Sequence, residues 1–130
     1  MLSGVRGSGH SNQFPNAILP DGSTHIGGQY SFDGQGGLNT RFITTPEGLI
    51  TDLQPTINRI ISGGKFPHRN DGSIFMNKEG LLPKRASGYY REFVHPTIGA
   101  KGAGLQRIVT GQNGQMWFTP DHYKNFIRIR

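Results

Sequence analysis

One segment dictates what this chain can fold into. Between Thr51 and Ser62, the residues Leu53, Ile57, Ile60 and Ile61 fall at i, i+4, i+7 and i+8, a single apolar stripe of helical period. Thr51 with Gln54 three residues on predicts a capping box, and Pro55 is tolerated in the first turn. Gly63-Gly64 predicts the stop. A helix with one stripe needs a sheet to lie on. The following sequence supplies strands at Ser73–Met76, Tyr89–His95, Leu105–Thr110, Gln115–Thr119 and Phe126–Arg130. In the last, Ile127 and Ile129 alternate with Phe126, Arg128 and Arg130, the period of a half-buried strand. The connections are short or turn-rich, which suits antiparallel neighbours. The expected class is α+β, one α-helix packed on one face of a twisted antiparallel β-sheet, with the other face free for a site.

Residues 1–40 read differently. Runs such as SGVRGSGHSNQ and FDGQGGLN mark turns and flexible chain, so this part is expected to be a glycine-rich arm or linker. Phe14, Ile18, Tyr30 and Phe32 are its candidates for docking into surface grooves. A hairpin from Arg41 through the Pro46-Glu47-Gly48 turn to Ile50 would join it to a domain spanning 41–130. The core must be small, because only 33% of the 130 residues are hydrophobic and 20 are glycine.

Several chemistries are excluded or made unexpected. There is no cysteine, hence no disulfide, thiolate zinc site or cysteine nucleophile. No run of about 18 apolar residues is present to span a membrane. No apolar segment near the N-terminus reads as a signal peptide, so an export signal, if used, is expected on a longer parent chain. No two histidines have HxH or HxxxH spacing, so no metal site is expected. His10 and His25 lie in the arm, His68 at the entrance to the sheet, and His95 on the face opposite Glu92 by alternation. The net charge of +6 is uneven. Residues 1–50 carry two cations against three acids, and residues 51–130 carry twelve against five, or +7. A basic compact domain suggests an anionic partner, most commonly nucleic acid.

Alternation in the strand Tyr89–His95 puts Tyr90, Glu92 and Val94 on one face, and Phe93 with Ile108 on the helix side. Glu92 and Arg107 then share the open face, and His122, in the turn before the last strand, reaches it from the rim. A carboxylate, an imidazole and a guanidinium suit proton transfer coupled to charge stabilisation at phosphorus. Spacing alone also describes, and favours, an exposed Glu92–Arg107 ion pair beside an unrelated turn histidine.

Four linked motifs add to this reading: Ile74-Phe75-Met76-Asn77-Lys78-Glu79-Gly80-Leu81-Leu82-Pro83, Gly88-Tyr89-Tyr90-Arg91-Glu92, Arg107-Ile108-Val109 and Asp121-His122-Tyr123. In this order and spacing, residues 53–129 resemble the bacterial guanyl-specific ribonucleases, the family of barnase and its smaller one-helix relatives. The resemblance implies an endoribonuclease with guanine preference that uses no cofactor. It makes Glu92 the general base, His122 the general acid and Arg107 the cation at the scissile phosphate. The product would be a 2′,3′-cyclic phosphate, later hydrolysed, and DNA would be spared for want of a 2′-hydroxyl. Met76–Gly80 matches the guanine-binding loop, with amides near Asn77 and Lys78 facing O6 and Glu79 facing N1–H and N2. Phe75, Tyr90 and Tyr123 are candidates for stacking or for closing the pocket, with a core role as open for Phe75.

One position departs from the family pattern. A second basic residue is usual four positions before Arg107, and Ala103 stands there. Lys101 is the candidate substitute, though a flexible lysine is no arginine fork. The arm and its Thr-Pro-Glu-Gly hairpin resemble the junction before the C-terminal toxin domain of large bacterial polymorphic toxins. That resemblance implies a secreted or delivered, monomeric toxin acting on single-stranded RNA, held in check by an acidic, barstar-like immunity protein. A non-catalytic RNA-binding module and a free-standing secreted nuclease are the competing readings.

Overall fold

The computed structural model describes residues 39–45 and 47–130 in full, with the backbone of 16–18 and 24–27. Its elements are β1 (Asn16–Ile18), β2 (Thr24–Gly27), β3 (Phe42–Thr44), β4 (Ile50–Asp52), α1 (Gln54–Ser62), β5 (Tyr90–Val94), β6 (Arg107–Gly111), β7 (Met116–Thr119) and β8 (Asn125–Arg128). The main sheet has the order β1-β2-β8-β7-β6-β5, antiparallel at every junction, and β3-β4 forms a separate hairpin. One helix on antiparallel sheet is the expected α+β class. Part of the arm pairs as strand, with β2 on the edge of β8 through His25↔Ile127, Ile26↔Phe126 and Gly27↔Asn125. The groove-filling side chains expected from Phe14, Ile18, Tyr30 and Phe32, the side chains of His10 and His25, and Pro46 of the hairpin turn lie outside the described residues.

The helix starts later than its sequence suggests. Thr51 belongs to β4, the N-cap position is Leu53, and no side-chain cap bond forms there. The Gln54 amide donates instead to Asp52 Oδ1 at 3.0 Å. Thr51 Oγ1 is taken by His95, 2.6 Å from Nε2, so a partner far along the chain outcompetes the local box. Gly63 ends the helix at φ 81°, a left-handed conformation that glycine adopts without a Cβ clash. The stripe is also narrower than expected. Leu53 and Ile57 are buried and Ile60 packs at the margin, but Ile61 is 73% exposed.

Leu53 and Ile57 join Ile43, Ile108, Met116, Phe118, Ile127 and Ile129 in one core. Phe93 lies opposite Ile108, as alternation predicts, but is only half-buried. The helix is bolted to the end of β5 by a buried ion pair, Arg59 Nη1 to Asp71 Oδ2 at 2.7 Å. Asp71 Oδ1 accepts the Val94 amide, and Arg59 Nη2 donates to the Val94 carbonyl. His95 is buried between Thr51 Oγ1 and Thr56 Oγ1, edge-on to Phe118. Burial holds its pKa down at about 4, with Arg59 adding to the depression and Asp52 opposing it.

The opposite face, expected to be free for a site, is also partly filled. It holds a second cluster of Leu82, Tyr90, Val109, Trp117 and Phe126, flanked by Phe75, Leu81, Tyr89 and Tyr123. The strand expected at Ser73–Met76 is reduced to one bridge, Ile74↔Arg91, although the chain follows β5 closely (Phe75 N to Tyr90 O, 3.0 Å; Glu92 N to Ser73 O, 2.9 Å).

Candidate active site

The register of β5 on β6 sets Glu92 opposite Val109 and Val94 opposite Arg107. Opposed residues share a face, as do residues two apart, so Glu92 and Arg107 lie on the same side of the sheet. No ion pair joins them. Among the described residues the ion pairs are Arg41–Asp52 and Arg59–Asp71. Glu92 Oε1 instead accepts a hydrogen bond of 2.5 Å from the Tyr123 hydroxyl. Tyr123 is pinned from the other side by Phe75, its ring stacked at 4.9 Å and 27°. Burial raises the phenol pKa, the Glu92 carboxylate adds to the rise, and Arg107 opposes it. The hydroxyl is therefore a donor to Glu92 at neutral pH, and both charged groups lie beside it.

His122 comes from a strained turn. It and Tyr123 both have positive φ, 58° and 75°, which costs about 1–3 kcal/mol per non-glycine residue. Side chains of the turn offset that cost. Asp121 accepts from the Asn125 amide at 3.0 Å and from Asn125 Nδ2 at 2.7 Å, and Thr119 Oγ1 accepts the Tyr123 amide at 2.9 Å. The His122 amide donates to the Leu105 carbonyl at 2.9 Å, tying the turn to the loop that enters β6. The exposed His122 ring sits 4.7 Å from that of Tyr123. In the sequence Asp121 stands within a motif, but nothing there assigns a role to Asp121, Thr119 or Asn125. Three residues able to bond nearby backbone, clustered around a histidine, were the available signal.

Arg107 is buried, 7% exposed. Its Nη1 donates to the carbonyls of Gly104 (3.0 Å) and Gln106 (2.9 Å), with Ala103 further off at 3.5 Å. Its Nε is buried without an acceptor among the described residues. Lys101 is exposed, and no contact among the described residues links it to Arg107 or Glu92. Backbone carbonyls hold Nη1 of the Arg107 guanidinium.

The loop at Met76–Gly80 closes on itself. Asn77, at φ 53°, accepts the Leu82 amide at 3.1 Å and donates to the Leu82 carbonyl at 2.9 Å, so its side chain is spent on shape. The Gly80 amide donates to the Asn77 carbonyl at 3.0 Å. Among the described residues, the amides of Asn77 and Lys78 have no acceptor within the chain. Met76, Lys78 and Glu79 are exposed. Tyr90 is a candidate for stacking or for closing the pocket, and its burial leaves little ring surface for the first. It is 3% exposed, packed edge-on to Trp117, with its hydroxyl donated to the Pro83 carbonyl at 2.5 Å. A tyrosine so enclosed supports the loop from below.

Residues 40–130 match the family model for ribonucleases. The chain belongs to the bacterial guanyl-specific ribonuclease family. It is 45% identical over 82 residues to guanyl-specific ribonuclease Sa3 of Kitasatospora aureofaciens, a match covering 62% of this chain and 58% of that protein. Against guanyl-specific ribonuclease Sa of the same organism it is 44% identical over 82 residues, covering 62% of this chain and 85% of the relative. The chain thus spans less than two thirds of the Sa3 relative and most of the Sa relative. Among solved structures, ribonuclease Sa2 in complexes with mononucleotides superposes with a TM-score of 0.59 at 39% identity, over 65% of this chain and 88% of that one. The family is one of guanyl-preferring endoribonucleases, and the residues Glu92, Arg107, His122 and the Met76–Gly80 loop fall within the matched span.

Proposed function

We propose that this chain cleaves single-stranded RNA on the 3′ side of guanosine by transesterification. The carrying observation is the placement of Glu92, held by Tyr123, on the same face as the Arg107 guanidinium, which also lies beside Tyr123, with His122 at the rim. Glu92 takes the proton from the ribose 2′-hydroxyl. The 2′-oxygen attacks phosphorus, and the bond to the leaving 5′-oxygen breaks as His122 protonates it. Arg107 faces the negative charge that builds on the phosphoryl oxygens. The resulting 2′,3′-cyclic phosphate is hydrolysed with the two roles exchanged, water taking the place of the 5′-hydroxyl. The unengaged amides of Asn77 and Lys78 are donors for guanine O6, and the Glu79 carboxylate is an acceptor for N1–H and N2. Adenine offers neither pairing, and discrimination of this bidentate kind is worth about 1–3 kcal/mol.

The biological setting belongs to the same reading. A monomeric toxin, secreted or delivered into a target cell, fits a basic catalytic half of +7 preceded by a glycine-rich arm. Its maker would need an acidic, barstar-like inhibitor to cover the cationic face. The sharpest test incubates the protein with single-stranded RNA in EDTA and maps the cut ends. Cuts after G with cyclic phosphate termini are expected, and DNA should be untouched. Glu92→Ala and His122→Ala should each lower kcat by about 10²–10⁴-fold while the protein stays folded. Salt-sensitive RNA binding without any cleavage would instead favour a non-catalytic binding module, a reading the absent second cation at Ala103 makes worth testing.

A further inference from the structure

A cleft of about 470 Å³ opens beside the Met76–Gly80 loop and shares Met76, Asn77 and Gly80 of that loop as one wall. Glu79, Glu92, Arg107, His122 and Tyr123 take no part in its walls. Phe75, Leu82 and Tyr90 line it, Met76 stands at it 58% exposed, and Lys84 and Arg85 form its other side. The wall is fixed by two contacts already described, Tyr90 to the Pro83 carbonyl and Asn77 to Leu82. Lys84 and Arg85 are exposed, and neither is in an ion pair among the described residues. The Arg85 guanidinium rests over the Tyr89 ring, 5.2 Å from its centroid. The volume lies within the range of small-ligand sites, about 300–1,000 Å³.

The direction of the strand gives the cleft its meaning. Tyr90 pairs with Gly111 and Val94 pairs with Arg107, so the cleft and Arg107 lie toward opposite ends of β5, with Glu92 between them. Four residues of strand separate those ends by roughly 13 Å. If the phosphate on the 3′ side of guanosine runs to Glu92 and Arg107, the 5′ side of the same nucleotide runs the other way. That path meets apolar surface from Met76 and Phe75 and two free cations. We propose that the cleft is a subsite for the nucleotide on the 5′ side of the guanosine, its base lying against Met76 and Phe75 and the connecting phosphate held by Lys84 and Arg85. Base stacking and phosphate contact of this kind tolerate any sequence, so the subsite adds affinity for longer RNA without altering guanine choice. This assignment rests on the guanosine-cleaving activity proposed above.

The test compares kcat/KM for GpC, pGpC and UpGpC, each cut after G, in the wild-type chain and in the double variant Lys84→Ala/Arg85→Ala. The wild type should cleave UpGpC about tenfold or more faster than GpC, with pGpC between them. The double variant should lose the pGpC gain and most of the UpGpC gain while keeping the wild-type rate on GpC. Equal wild-type rates on GpC and UpGpC, or an undiminished gain in the double variant, would overturn the subsite and leave the ribonuclease assignment standing. Failure of the wild type to cut even GpC would overturn the activity, and the subsite with it.

Discussion

The two faces of the main sheet are built from neighbouring residues and differ in kind. Ile108, Phe118 and Ile127 turn toward the helix, where the core is mostly aliphatic and almost fully closed. Val109, Trp117 and Phe126, each adjacent in sequence to one of those, turn the other way into a cluster dominated by aromatic rings. Aliphatic side chains offer only burial. A tyrosine offers burial and a polar tip, so it can be held by its ring and act through its oxygen. Tyr90 reaches the Pro83 carbonyl in this way and Tyr123 reaches Glu92. The period of two lets one strand contribute to stability with one residue and to the placement of a reactive group with the next.

That division can be broken by experiment. Phe118→Ala should produce the largest effect, a loss of about 3–5 kcal/mol in urea-induced unfolding, because it empties the helix-side core. The fraction still folded should turn over RNA at close to the wild-type kcat. A large loss of kcat with little loss of stability would show that the faces are not separable.

Acid sensitivity should also belong to the helix side. His95 has a folded pKa of about 4, below the ordinary value of 6.5, so the unfolded chain binds its proton first as pH falls. Its contribution is complete above pH 6.5 and is lost as pH drops toward 4, a change on the order of 3 kcal/mol. Urea titrations from pH 7 to pH 4 on wild type and His95→Gln should show the slope in the first and a flatter dependence in the second. Identical slopes would remove His95 as the cause.

The smallest effect is expected on the site side. Tyr123→Phe keeps the stack on Phe75 and removes the donor to Glu92, so stability should change by less than about 1 kcal/mol while kcat/KM falls about tenfold. Equal damage to both quantities would mean that the hydroxyl serves the fold more than the carboxylate.

What the sequence made legible, and what it hid, follows from the distance over which each residue finds its partner. The strands Tyr90–Val94 and Arg107–Gly111 carry their alternation within themselves, so the shared face of Glu92 and Arg107 could be read directly. Thr51 looked like a helix cap because Gln54 is three residues away, but its hydroxyl goes to His95, 44 residues on. Tyr90 looked available to a base because its face is the site face, and only the packing of Trp117 and the Pro83 carbonyl close it off. The strands at Asn16–Ile18 and Thr24–Gly27 are only three and four residues long, and they are held by pairing with each other and, through the second, with the edge of β8.

The setting of Arg107 has a consequence of its own. A cation that waits on a free side chain must be gathered when the substrate arrives, and the gathering is charged against the reaction. Here one nitrogen of the guanidinium is already committed to the carbonyls of Gly104 and Gln106, so its orientation is inherited from folding. Charge and aim thereby become separate properties of one residue. A lysine at 107 would carry the same charge into the same place and arrive without the aim.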